Sequence, residues 1–339
     1  AFLAVHGVME PIARWAETSE RAYLWRKEEW LQLFTPGNYT GRGQLLMYGP
    51  SESREAFLPE LFSERLEGLQ AYQNSQSMGT IEDCNVLLEY LARVHGTDAL
   101  PSAVLVGFTT RFVSNIRSVP SPLLNAIDKY SPAMRIDRDT APPRLVQKDS
   151  LAGLQSSAAF RFRQQRRYFG ALRALGRYVL RPIAPSLANH RLLNLSLTPS
   201  KYGHLAPRPP DETKAWLQAP GSFWEAVHEW DPDASREQIL RDVRKLVSFA
   251  DEHGIDLFVV NMPELSWNRE LYKPGRYASY LRIVQEGLGD TPFLDLRELL
   301  DDAEYFDSCH PTLEGCERVT ERIARFIGET RRQPEGDGK

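Results

Sequence analysis

The sequence predicts an α/β protein, a three-layer sandwich with a central parallel sheet and helices on both faces. Three observations predict it. Runs of strand length rich in branched and apolar residues occur at 44–48, 103–107 and 256–261. They alternate with longer stretches of helical period, as βα repeats do. The runs are also apolar almost throughout instead of at every second position, which suits strands covered on both faces.

The first forty residues carry Trp15, Tyr23, Trp25, Trp30 and Leu33 at mixed helical spacing and then break at Pro36-Gly37-Asn38. Residues 1–43 therefore read as a helical lead-in that ends in a turn. Gln44-Leu45-Leu46-Met47-Tyr48 reads as a strand, Gly49-Pro50 as a sharp turn, and Phe57, Leu58, Leu61 and Phe62 as a helical face. The polar stretch Asn74 to Thr80 leads into a helix marked by Val86, Leu87, Leu88, Tyr90 and Leu91, and Ala103 to Gly107 reads as the next strand.

The same rhythm returns after residue 235. A charged amphipathic helix spans about Ser235 to His253 and stops at Gly254, and a strand follows at Asp256 to Asn261. A helix around Tyr277 to Gln285, a short strand at Pro292 to Asp295 and a last helix from about Thr312 to Ile327 complete the pattern. Residues 44–328 thus form the α/β domain. Residues 329–339 read as a disordered tail, with Arg331 to Lys339 strongly polar.

Between the halves, residues 145–225 read as an inserted helical or lid segment. From Leu151 to Pro210 there is no Asp or Glu, while arginines recur at 161, 163, 166, 167, 173, 177, 181 and 191. Arg166, Arg173, Arg177 and Arg181 would share one helix face, opposite Phe169, Leu172 and Leu175. The island reads either as a solvated face or as a surface for anionic headgroups or an acidic glycan.

Composition bounds the function. A chain of 339 residues, 42% hydrophobic and 25% charged, can build a large core. A net charge of −4 argues against a nucleic-acid partner, which would need a basic excess. Cys84, Cys309 and Cys316 are too few for a disulfide scaffold, although Cys309 and Cys316 could pair in an oxidising compartment. His95, His190, His204, His228 and His253 fall in no metal-ligand spacing, so neither a metal nor a cofactor is expected. No apolar run approaches the roughly 20 residues that span a bilayer. The chain opens Ala1-Phe2-Leu3 without methionine, and the expectation is an extracytoplasmic protein, periplasmic or membrane-tethered, whose signal or anchor precedes this stretch.

Acyl-transfer chemistry needs a hydroxyl nucleophile, a base, a group that orients the base, and donors for an oxyanion. Ser51 lies between the strand at 44–48 and the following helix, where helix amides offer positive potential. A serine in this place is also an ordinary N-cap, and Ser53 fits the cap better while standing as the second candidate nucleophile. Near the other end, Asp307 and His310 sit three apart on a turn before the last helix. There the carboxylate could hold one imidazole nitrogen while the other faces the serine. Cys309, beside His310, reads as structural, because adjacent residues on a turn usually point apart.

These segments, in this order, resemble the signature blocks of the SGNH (GDSL-like) hydrolase superfamily. Gly49-Pro50-Ser51 resembles the first block with proline in place of aspartate, and Asn74 to Gly79 resembles the segment ending in the second-block glycine. Val106-Gly107-Phe108 stands where the third block belongs, and Asp307-Ser308-Cys309-His310-Pro311 matches the Asp-x-x-His-Pro block. The resemblance implies an SGNH or flavodoxin-like sheet, with Ser51 as nucleophile, His310 as base and Asp307 as its orienting acid. It also implies the Ser51 and Gly79 amides as oxyanion donors. The third-block Asn-Asp is replaced by Thr109-Thr110-Arg111, which leaves Thr109, Thr110, Arg111 and Asn74 as candidate side-chain donors; Arg111 and Glu52 are the candidate substrate-binding residues.

The layout Gly-x-Ser-x-x-Arg-Glu-x-Phe with a late Phe-Asp-x-x-His-Pro further resembles membrane-linked SGNH proteins of bacterial envelopes, of the polysaccharide O-acetylation and teichoic-acid D-alanylation kinds. This resemblance covers residues 44 to 115 and 240 to 328 and not the basic middle. It implies a serine-dependent esterase or O-acyltransferase acting on an envelope or extracellular carbohydrate. The basic region Arg161 to Arg191 would then meet an anionic membrane surface or a membrane acyltransferase partner. Trp216, Trp224, Trp230 and Trp267 would be either a sugar-stacking platform or core. The rival expectation is a non-catalytic SGNH-fold module that binds a glycan or a partner, favoured by the missing Asn-Asp.

Overall fold

The computed structural model describes residues 43–118, 120–140, 142–161 and 217–332, with isolated helical positions at 9, 11, 12, 172, 175, 214 and 215. The expected lead-in, the tail beyond Arg332 and most of the basic insertion, including Arg163 to Arg167, Arg173 to Arg181 and Arg191, lie outside the described residues. Within the insertion, residues 151–161 are helical.

Five strands form one parallel sheet: β1 (Gln44–Tyr48), β2 (Gln70–Gln73), β3 (Ala103–Phe108), β6 (Asp256–Asn261) and β7 (Phe293–Asp295). The order across the sheet is β2-β1-β3-β6-β7. A separate antiparallel hairpin joins β4 (Met134–Asp137) to β5 (Arg144–Gln147). In a doubly wound sheet of this order the chain leaves β1 in opposite directions, so a crevice opens at the carboxyl ends of β1 and β3. The expected α/β class with a central parallel sheet is the fold of this protein.

Strand alternation sorts the core into two layers. Leu46, Tyr48, Val104, Val106, Leu257 and Val259 point to one face, under α3 (Ile81–His95), α7 (Arg236–His253) and α9 (Arg276–Leu288). Leu45, Met47, Leu105, Phe258 and Val260 point to the other, where α10 (Leu313–Arg332) contributes Val319, Ile323 and Ile327. Both faces are covered, which is why these strands read as continuous apolar runs.

Several elements differ from the sequence expectation. The helix after Gly49-Pro50 begins at Ser51 itself and is broken in two: α1 (Ser51–Ala56) and α2 (Pro59–Arg65). Pro59 lacks an amide donor and disfavours helical backbone at Leu58, so the first helix ends at Ala56. Thr320 in α10 spans the break, its hydroxyl accepting from the Leu58 amide at 3.1 Å and donating to the Ala56 carbonyl at 3.0 Å. The strand β2 was not expected, because Gln70-Ala71-Tyr72-Gln73 carries little apolar signal; as an edge strand it buries only part of its residues. Neither α4 (Thr110–Ser114), α5 (Pro122–Tyr130) nor the hairpin was expected, nor α6 (Phe223–Glu229) and α8 (Ser266–Arg269), all too short for a periodic signal. The last helix runs on to Arg332, so Arg331 and Arg332 belong to it and not to a tail.

Candidate active site

The turn from β1 into α1 is built around a buried serine. Ser53 is fully buried, and a Cβ on Gly107 would stand 2.0 Å from its Oγ, one on Gly49 2.3 Å. The two glycines thus let β1, β3 and α1 approach closely. Ser53 does not cap the helix; Pro50 occupies the N-cap position, and the Ser53 hydroxyl has no hydrogen-bond partner among the described residues. With no exposure, Ser53 cannot meet a substrate.

Ser51, the first residue of α1, is partly exposed. Its hydroxyl donates to Glu52 Oε2 at 3.0 Å, and no hydrogen bond joins it to His310. Because α1 has only six residues, its dipole adds little potential at this end. Glu52 Oε2 also accepts from Arg111 Nη2 at 2.7 Å, and both side chains are buried. Burial pushes the Glu52 carboxyl up, but Arg111 and then His310 outweigh this and hold it below its ordinary value.

The turn carrying His310 is closed by an antiparallel bridge between Tyr305 and Pro311 and by the Phe306 amide donating to the His310 carbonyl at 3.0 Å. Asp307 Oδ2 lies 2.8 Å from His310 Nδ1, and Oδ1 accepts the amides of Cys309 at 3.0 Å and His310 at 2.9 Å. The Phe306 ring stacks on the imidazole with an interplanar angle of 17°. Burial alone would raise Asp307, yet the His310 contacts and the two amides leave it below its ordinary value. For His310 burial works downward, while Cys309 and the Asp307 carboxylate work upward and hold it well above its ordinary value.

Cys309 does not point away from its neighbour. Its Sγ lies 3.6 Å from His310 Nδ1 and 3.7 Å from Nε2. Near-equal distances to both nitrogens place the sulfur off the axis of either lone pair. All three cysteines are free thiols. Asp307, Cys309 and His310 form the one group of three His, Cys, Asp or Glu residues among the described residues whose ligand atoms all lie within 4.8 Å of one another, and the imidazole Nδ1 is already committed to Asp307.

The remaining expected residues are engaged in local structure. The Gly79 amide donates to Gln76 O at 2.9 Å, and a Cβ on Gly79 would lie 3.0 Å from Gly49 O, so Gly79 packs against the turn that carries Ser51. Thr80 and Asp83 then form the capping box of α3. Asn74 is buried, and its backbone N–H donates to Met47 O at 2.8 Å. Thr109 Oγ1 accepts from the Phe112 amide as the N-cap of α4, and Thr110 shares a 2.7 Å hydrogen bond with the Tyr272 hydroxyl.

A cleft opens beside these groups, at the carboxyl ends of β3 and β6. Glu52, Thr109, Thr110, Arg111, Ser308 and Cys309 line one part of it; Trp224, Asn261, Glu264, Asn268, Tyr272 and Tyr277 line the rest. Asn261 donates to Asp295 Oδ1 at 2.7 Å and accepts from Tyr280, while Glu264 accepts from Arg297 Nε at 2.9 Å and from Asn268. Burial drives the Glu264 carboxyl above its ordinary value against the pull of Arg297. His228 Nε2 meets Asn268 Oδ1 at 2.6 Å, and burial lowers its proton affinity. Apart from Trp224, this second wall was not expected from the sequence; the available signal was Met262-Pro263-Glu264 just past the end of β6, where a doubly wound sheet presents its ligands.

Of the tryptophans, Trp224 lines the cleft, Trp230 packs edge-on to Tyr280 and Trp267 lies under Lys214; Trp216 is outside the described residues. Among the described residues, no helix is long and apolar enough to cross a membrane.

A protein-family model matches residues 235–331, less than half of the chain, a span that contains α7, β6, β7 and the Asp307/His310 turn. No curated protein matches the sequence. Among solved structures, the chain is similar to a candidate acylhydrolase from Bacteroides fragilis, at 13% identity and a TM-score of 0.39, over 91% of this chain and 97% of that one. It is also similar to an acetyl xylan esterase from the rumen bacterium Butyrivibrio proteoclasticus, at 8% identity and a TM-score of 0.34, over 85% of this chain and 63% of that one. Likenesses this distant carry no argument about activity.

Proposed function

We propose that the protein transfers an acyl group at an ester through a covalent acyl-Ser51 intermediate. The observation that carries this reading is the Asp307–His310 dyad, with Nδ1 held 2.8 Å from the carboxylate and the His310 charge bearing on Glu52, the hydrogen-bond partner of Ser51. An imidazole oriented in this way keeps Nε2 available as a proton acceptor. In the first half-reaction the Ser51 Oγ–carbon bond forms and its proton passes to His310 Nε2. The carbon–oxygen bond to the leaving alcohol then breaks as the alcohol takes that proton. In the second half-reaction water or an acceptor hydroxyl attacks the acyl carbon and regenerates Ser51.

The step requires the Ser51 hydroxyl to turn from Glu52 toward Nε2, and catalytic hydrogen bonds often close only around the substrate. A sugar hydroxyl or sugar ester is the substrate class we favour, because the cleft is lined by the aromatic side chains of Trp224, Tyr272 and Tyr277 together with neutral polar groups at Asn261, Asn268 and Thr110. Acylation or deacylation of an envelope or extracellular glycan by an SGNH-type enzyme follows from the family resemblance. So do an extracytoplasmic location and a membrane partner or anionic membrane surface for the Arg161 to Arg191 region.

The test is hydrolysis of p-nitrophenyl acetate and labelling by a fluorophosphonate, comparing wild type with Ser51→Ala and His310→Ala. Both variants should lose turnover and labelling, with the wild-type label on Ser51. Equal turnover in all three proteins, or label on another residue, would refute the reading. A second reading, a non-catalytic glycan- or partner-binding module, is favoured by the Gly79 amide, which is spent on Gln76 O instead of facing an oxyanion. A glycan that binds in the cleft while wild type neither turns over nor takes up the probe would support it.

A further inference from the structure

A buried ion pair stands directly behind the candidate nucleophile. The Glu52 and Arg111 side chains are 6% and 3% exposed, and they meet at 2.7 Å. Removing two charges from water costs several kcal/mol per ion, and an apolar pair of similar size often stabilises a fold as well. Stability therefore gives no reason for charges here. A contact of the pair with Ser51 does: the same Oε2 that receives Arg111 receives the Ser51 hydroxyl at 3.0 Å. The second terminal nitrogen of Arg111, Nη1, rests on Met78 Sδ at 3.7 Å, and the side chain is only 3% exposed.

Arg111 occupies the third-block region, just past β3, where the resemblance would place Asn-Asp. The pair links that region across the crevice to the first residues of α1. His310 and Arg111 both stabilise the Glu52 carboxylate, so the three charges belong to one electrostatic neighbourhood.

We infer that Glu52, locked by Arg111, is a positioning residue for Ser51 and not a substrate ligand. Its fixed oxygen holds Ser51 Oγ in place until the hydroxyl proton swings to His310 Nε2, and its carboxylate interacts with the charge of His310. This inference rests on the reading of Ser51 as nucleophile. Misplacing a reacting atom by about 1 Å can cost about 100-fold, so losing the group that holds Ser51 Oγ in place should lower reactivity by about 10- to 100-fold.

The experiment measures the rate of fluorophosphonate labelling against pH in wild type, Glu52→Gln, Glu52→Ala and the double variant Glu52→Ala/Arg111→Met. Labelling joins Ser51 Oγ to phosphorus, releases fluoride and passes the serine proton to His310, so it needs both an oriented hydroxyl and a neutral imidazole. Glu52→Gln, which keeps an acceptor oxygen but no charge, should move the acid limb to lower pH. Glu52→Ala should lower the plateau rate by about 10- to 100-fold. Because Glu52→Ala strands a buried arginine and could unfold, the double variant, with no orphaned charge, should fold and keep the loss.

Recovery of the wild-type rate and pH profile in the double variant would overturn the inference, for Glu52 would then serve only to neutralise Arg111. An acid limb that stays in place in Glu52→Gln would overturn it as well. Absence of label on wild-type Ser51 would remove the nucleophile itself and the inference with it; label on Ser51 with equal rates in all four proteins would overturn the inference alone.

Discussion

The Asp307 carboxylate grips His310 at two points, accepting its backbone amide at 2.9 Å through Oδ1 and lying 2.8 Å from its Nδ1 through Oδ2. The amide contacts fix the carboxylate, the carboxylate fixes the ring, and Phe306 covers one ring face. Asp307→Asn would keep the amide contacts through its carbonyl oxygen, but its amide would donate to Nδ1 and leave the proton on Nε2, where a base needs a lone pair. The expected result is a folded protein whose ester hydrolysis falls by roughly 10³- to 10⁴-fold. Steady-state kinetics with p-nitrophenyl acetate beside a circular-dichroism melt would check it.

The His310 proton affinity is held well above its ordinary value. As a base the imidazole must be neutral, so kcat/KM should climb with an apparent pKa above 6.5 and still be incomplete at neutral pH. A profile already flat below pH 6.5 would contradict this.

The same pair links pH to folding. Asp307 is depressed in the fold, so its stabilising share is present above 3.8 and fades as pH falls through the lower folded value. His310 is raised, so its share is complete below 6.5 and fades as pH rises through the higher folded value. The difference in unfolding free energy between wild type and Asp307→Asn should therefore be greatest between about pH 4 and 6.5, as read by urea titration at several pH values.

Ser53→Ala removes a buried hydroxyl that has no partner. Loss of an unsatisfied group should leave stability unchanged or raise it, and labelling at Ser51 should persist. Gly107→Ala runs the other way, since its Cβ would stand 2.0 Å from Ser53 Oγ and 3.0 Å from Met262 Sδ. It should destabilise by about 1 to 3 kcal/mol or more, and adding Ser53→Ala should return part of that. Thermal melts of the two single variants and the double variant decide the matter.

Thr320→Val deletes the hydroxyl that joins α10 to the break between α1 and α2 and leaves the Leu58 amide and Ala56 carbonyl unpaired in the core. A loss of about 1 to 3 kcal/mol is expected from denaturant unfolding.

The layer order was legible in the sequence because β1, β3 and β6 lie at the centre of the sheet and are apolar along their length. β2 was not, since an edge strand needs only half a face of apolar residues, and Gln70 and Gln73 mask it. The Asp307-x-x-His310-Pro311 turn was legible because its contacts span three residues and depend on local backbone alone. The role of Ser53 was not, since what decides it is Gly107, 54 positions away, which leaves space for the Ser53 hydroxyl only once β3 lies beside β1.

By itself the sequence determined the parallel α/β architecture, the serine turn after β1 and the Asp307/His310 pair, because strand burial, helix period and a short turn are encoded within a few residues. Only the tertiary structure decided which partner each polar group takes. Glu52 turned out to hold Ser51 and Arg111, Gly79 to spend its amide on Gln76, Cys309 to lie against the imidazole, and Glu264 and Tyr272 to form the far wall. The Glu52–Arg111 pair and the far wall join loops from separate strands, while the contacts of Ser51, Gly79 and Cys309 are between near neighbours whose orientations the packed loops set. Charges and hydroxyls interact over a few ångströms of space, and the distance between residues along the chain does not show which of them will come that close.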